Sequence, residues 1–119
     1  MIEILDVGAG NIIGCKIDGK IDNDDILKIS RLVDDKIQIY TKLRVYVELI
    51  NLEGISFEAL MNDLKLAVKH YSKFERKAVV TDKNWIHTIS PIAGRLFPGI
   101  EVKCFSFADR DSAVEWIRC

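Results

Sequence analysis

Leu43 to Leu52 reads L-R-V-Y-V-E-L-I-N-L, ten residues rich in apolar and β-branched side chains and followed at once by E-G-I-S. A strand with one wet face alternates apolar and polar residues, whereas this run stays largely apolar on both parities, the pattern of a strand buried on both faces. Such a strand belongs in the middle of a parallel sheet with helices packed above and below it.

Working outward, the flanking segments supply the rest of that architecture. Asp22 is placed to cap a helix in which Ile26, Ile29, Leu32, Val33 and Ile37 recur at three- and four-residue intervals, with Asp24 and Asp25 near its positive end. Before it, Ile2 to Val7 and Ile12 to Asp18 read as strands joined by the glycine-containing G-A-G-N, which predicts an antiparallel opening pair. On the other side, Ser56 caps a second predicted helix with Phe57, Leu60, Met61, Leu64, Val68 and Tyr71 on one face. Arg76 to Thr81 supplies a fourth strand, and Asn84 to Gly99 a third predicted helix stopped by Pro98-Gly99. Glu101 to Phe107 is a fifth strand, and Asp109 to Arg118 a closing helix with Asp109 as its cap. The expected fold class is α/β, in the order β-β-α-β-α-β-α-β-α. Its sheet is five-stranded and mainly parallel, with about four helices on its two faces, because parallel neighbours require right-handed crossovers.

Composition bounds the function. The 119 residues make one domain, 1–119, with 49% hydrophobic and 29% charged residues and a net charge of -1. That balance argues against disorder and against a nucleic-acid partner. No apolar run is long enough to span a bilayer, and the three cysteines, Cys15, Cys104 and Cys119, lack any C-x-x-C spacing. A cytoplasmic setting without cofactor or metal is the expectation. Asp18, Asp22, Asp24 and Asp25 are dense, but EF-hand spacing and its terminal glutamate are missing. G-A-G-N lacks the third glycine of a phosphate loop.

No nucleophile elbow or cofactor fingerprint is present, so the chain reads as non-enzymatic. In a parallel sheet, ligands meet the carboxyl ends of the strands, which brings forward Asn51, Glu53, Ser56, Thr81, Asp82 and His87. The two halves also differ in charge. Residues 1–60 carry 7 basic against 11 acidic side chains, a balance of -4, and residues 61–119 carry 10 against 7, a balance of +3. Lys65, Lys69 and Lys73 form a basic stripe beside the apolar face of the second predicted helix, an arrangement suited to anionic lipid headgroups.

The third predicted helix, N-W-I-H-T-I-S-P-I-A-G-R-L-F-P-G, presents Trp85, Ile86, Ile89, Ile92, Ala93, Leu96 and Phe97 on one side. Pro91 removes a hydrogen bond and crowds the preceding turn, at roughly 3 kcal/mol in a helix interior. With Ser90 able to cap a new helix at Pro91, and Gly94 loosening it, Ser90, Pro91 and Gly94 read as a hinge.

Four stretches then carry a resemblance: F-E-R-K-A-V-V-T-D-K-N-W at Phe74 to Trp85, L-F-P-G-I-E-V-K-C-F at Leu96 to Phe105, E-A-L-M-N-D-L-K at Glu58 to Lys65, and D-S-A-V-E-W-I near the end. Together they resemble the SpoIIAA-like family of small bacterial proteins, whose α/β fold is shared by STAS domains and by CRAL-TRIO carriers of hydrophobic molecules. The carrier resemblance implies a hydrophobic or lipid-like ligand between the second and third predicted helices, with Phe57, Leu60, Met61, Leu64, Trp85, Ile86, Ile89 and Phe97 as lining. Lys65, Lys69 and Lys73 would then face a membrane, with reversible association at its inner face. The alternative is a STAS-like regulator acting through a protein partner, switched by phosphorylation at Ser56, although N-L-E-G-I-S lacks the D-S-x-G-like phosphosite of STAS antagonists. Exposed apolar helices are equally open to a second copy in a homo-oligomer.

Overall fold

The computed structural model describes residues 1–19, 21–51, 73–86, 90, 91, 95 and 99–119. Five strands form one sheet in sequential order: β1 (Ile2–Leu5), β2 (Ile12–Asp18), β3 (Leu43–Ile50), β4 (Phe74–Thr81) and β5 (Glu101–Ser106). β1 and β2 pair antiparallel, and β2 through β5 pair parallel, as expected. Two α-helices have defined ends, α1 (Asn23–Ile37) and α2 (Arg110–Arg118), against the expected four. The helix expected from Ser56 lies outside the described residues. Of the third, Ile86, Ser90, Pro91 and Arg95 are described and helical.

α1 begins where its sequence says it should. The Asp22 side chain accepts from Asp25 N at 2.9 Å and Asp25 Oδ2 accepts from Asp22 N at 3.1 Å, a reciprocal capping box that satisfies an otherwise orphaned amide. α2 departs from expectation: a 3-10 turn, Phe107–Asp109, precedes it, and Asp109 makes no side-chain cap bond. Its carboxylate instead accepts from Ser106 Oγ at 3.3 Å.

The strands distribute their side chains to two separate cores. Ile13, Cys15, Ile17, Val47, Leu49 and Val79 pack with Ile29 and Val33 of α1 on one face. Ile12, Tyr46, Ala78, Val80 and Phe105 pack with Ala113 and Ile117 of α2 on the other. Leu43, Ala78, Val79 and Val80 are essentially inaccessible, which accounts for the apolar run of β3 and the A-V-V of β4.

β1 ends at Leu5, two residues before the expected Val7. The Asp6 carboxylate accepts from Gly8 N at 2.8 Å and draws the chain into a turn in which Gly8 adopts φ +89. Here the backbone lies so close to β2 that an added Cβ at Gly14 would meet Leu5 O at 2.6 Å and Val7 Cγ2 at 2.8 Å. Gly14→Ala should therefore force β1 away and lower stability by about 1–3 kcal/mol, read as a fall in the urea midpoint with an unchanged slope.

Candidate functional site

The carboxyl ends of β2 to β5 bring Asp18, Asn51, Asp82 and Ser106 to one edge of the sheet. Asn51 holds φ 53, the one positive φ of a non-glycine residue among those described. Asparagine tolerates this left-handed conformation better than most residues, yet it persists only where the surroundings hold it. They do so here: Asn51 Nδ2 donates to Asp18 Oδ1 at 2.8 Å, and Gly19 N, itself at φ +65, donates to Ile50 O at 3.1 Å. β2 and β3 are thus clasped at their ends. Next to them Thr81 is 1% exposed, its hydroxyl donating to Leu49 O at 3.4 Å. Asp82 is exposed, and its carbonyl accepts from Trp85 N at 2.9 Å to open the 3-10 turn Lys83–Trp85.

Two polar groups inside the sheet were not singled out by the sequence reading. On the α2 face, Tyr46 donates to Glu48 Oε2 at 2.7 Å, and Arg110 Nε lies 3.3 Å from the same oxygen. Burial first, and then the Glu48 carboxylate, push the Tyr46 phenol far above its usual range. With its charge matched and Oε2 doubly engaged, Glu48 closes the core under the start of α2. Its signal was the lone acid in an apolar run. On the α1 face, half-buried Lys77 shares its surroundings with Cys15 and Cys104. Burial lowers its ammonium to about 8, against a smaller opposing effect of the two thiols. The Cys15 thiol is pushed up to about 12 by burial, and Cys104 is raised for the same reason while Ser90 hydrogen-bonds to it. Both sulfurs therefore stay protonated at neutral pH and are weak nucleophiles.

The sequence-derived site is only partly visible. Glu53, Ser56, Phe57, Leu60, Met61, Leu64, Lys65, Lys69, His87, Ile89, Gly94 and Phe97 lie outside the described residues. Trp85 is 37% exposed, Ile86 half-buried and Lys73 exposed. Ser90 and Pro91 are exposed and helical, and Ser90, expected as the cap of a new helix, sits within helical backbone with its hydroxyl hydrogen-bonded to Cys104. A described cavity of about 480 Å³ lies elsewhere, between α1 and β1. Among the described residues no group of His, Cys, Asp and Glu could hold a metal ion, and no helix is long and apolar enough to cross a membrane.

The chain matches the SpoIIAA-like family model over residues 12–118. It is also similar to a crystal structure of an uncharacterized protein with a SpoIIAA-like fold from Shewanella loihica, at 26% identity and a TM-score of 0.71, with 98% of this chain and 92% of that one covered. No curated protein matches.

The buried cluster around Lys77 sets a pH signature. Between about 8, where folded Lys77 releases its proton, and its ordinary 10.5, the unfolded chain binds more protons, so stability rises with pH. From the ordinary thiol value of 9.0 upward, Cys15 works the other way, because only the unfolded thiol ionises. Urea titrations from pH 7 to 9.5 should show a rise between 8 and 9 that then levels or reverses, and Lys77→Met should remove the rise.

Proposed function

The chain belongs to the SpoIIAA-like family, and from that premise we propose that it is a non-catalytic regulatory domain that acts by binding a protein partner at the carboxyl edge of its sheet. The observation that carries this reading is the Asn51–Asp18 clasp. A residue held in a sparsely populated conformation at the end of the central strand has a use if the segment it launches must be presented in one orientation. That segment contains Ser56, the position that the resemblance to STAS antagonists makes a phosphorylation switch. A phosphoryl group there would add up to two negative charges and so reset the complementarity of the edge to a partner. On this reading the protein works in the cytoplasm, where its free thiols are stable.

The test is affinity capture with four forms of the full chain followed by mass spectrometry. A partner retained by wild type and Ser56→Ala, lost by Ser56→Asp and weakened by Asn51→Ala supports the proposal. Identical captures by all forms would remove its basis.

A second reading, a hydrophobic or lipid-like ligand with reversible membrane association, rests on Trp85, a large ring left 37% exposed beside Ile86. Its lining would be completed by Phe57, Leu60, Met61, Leu64, Ile89 and Phe97, with Lys65, Lys69 and Lys73 toward headgroups and Ser90, Pro91 and Gly94 as the hinge. Sedimentation with anionic liposomes at low salt should carry the protein down and blue-shift tryptophan fluorescence; Trp85→Ala should reduce both, and protein left wholly in the supernatant excludes this reading.

A further inference from the structure

β1 lies at the edge of the sheet, and among the described residues no element covers its outer side. Its groups face that side in a definite pattern. Met1 and Asp18 exchange both backbone bonds, Met1 N to Asp18 O at 2.8 Å and Asp18 N to Met1 O at 2.9 Å. In an antiparallel pair such positions alternate, so Glu3 and Leu5 also bond inward, while Ile2 and Ile4 present N–H and C=O outward. The strand is short, but it has no proline or bulge and keeps a regular register, so its outward groups remain able to pair. Directly above lies the cavity of about 480 Å³ bounded by Ile4 and by Asp24, Leu27, Lys28, Arg31, Leu32 and Asp35 of α1. Its apolar members are poorly covered: Ile4 is 38% and Leu27 49% exposed.

We propose that this edge and groove form the two-fold interface of a homodimer, with β1 pairing antiparallel to its copy about an axis through Ile4 and α1 packing against its copy above. A two-fold axis normal to the sheet reverses both elements together, so strand pairing and helix pairing close in one operation. Charge selects among the registers. Met1 N lies 3.9 Å from Asp25 Oδ2, which levels the start of the strand with that residue of the helix. Three strand residues rise about 10 Å, or roughly seven residues of helix, which puts the Ile4 level near Arg31 and Leu32. An axis at that height sets Lys28 of each copy against Asp35 of the other, two complementary pairs. An axis one residue earlier would oppose Glu3 to its own copy, Asp24 to Asp35, and Lys28 to Arg31, all like charges. The strand and the helix are both compatible with this axis, and at it Ile4 meets Ile4 beneath the groove.

The decisive measurement is sedimentation velocity on the full chain across a concentration series, with the monomer at 13.5 kDa. Wild type should move to twice that mass, and Ile4→Lys and Lys28→Asp should each raise the dissociation constant at least tenfold. Lys28 is exposed, so its substitution leaves the fold intact, as far-UV circular dichroism should confirm. Combining Lys28→Asp with Asp35→Lys restores both cross-pairs and should recover the dimer. A chain that stays monomeric to high concentration, or a dimer indifferent to both Ile4→Lys and Lys28→Asp, would overturn the proposal.

Discussion

β3 and β4 are covered on both faces, and this double burial is the constraint on which the remainder of the molecule depends. Every side chain on these strands must be apolar or matched, because a buried polar group without a partner costs far more than a hydrogen bond returns. The strands comply through most of their length, and two of their charged residues sit on opposite faces. Glu48 lies toward α2, compensated by Tyr46 and Arg110. Lys77 lies toward α1, where burial weakens its hold on a proton.

The α2 face shows how cations at the opposite end of the sheet are turned to structural use. A helix of nine residues ends with unsatisfied carbonyls and a partial negative charge. Arg44 of β3 donates to Ile117 O at 2.8 Å and Arg76 of β4 to Trp116 O at 3.4 Å, so the sheet caps the helix that covers it. Arg76 also lies 5.2 Å from the Trp116 ring centroid, and Glu75 and Glu101 pair with Arg44 and Arg76. The exposed ion pairs contribute little alone, but they hold the guanidinium planes where the carbonyls need them. This role also accounts for Arg76, which a sequence-level count of charge assigned only to a positive second half.

Much of this was legible in the sequence because it is local or periodic. The two-faced apolar run of Leu43 to Ile50 signalled a central parallel strand, and D-N-D-D before an amphipathic run signalled the start of α1. What was not legible depends on the third dimension. Asp109 reads as a helix cap, but a 3-10 turn intervenes and Ser106 engages its carboxylate instead. Asn51 reads as the tail of a strand, and its left-handed turn is set by Asp18, thirty-three residues earlier. Lys77 looks like surface charge within R-K-A-V-V until strand parity places it with Cys15 and Cys104. The residues proposed from helical periodicity and from the resemblance, Ser56 and the apolar lining, belong to segments whose sequence shows a helical pattern but not a partner.

The sheet's topology separates the two surfaces proposed to carry function. Sequential order places the antiparallel β1 at one margin and leaves the carboxyl ends of four parallel strands along a different border. A two-fold axis at Ile4 reverses strand direction, so the two Asn51–Asp18 edges of a dimer face opposite ways and neither lies in the interface. Pairing through β1 then leaves partner binding sterically free while doubling its valence. A partner that is itself oligomeric would be held by both edges, with the gain in apparent affinity set by whether its own sites can reach both outward-facing ends.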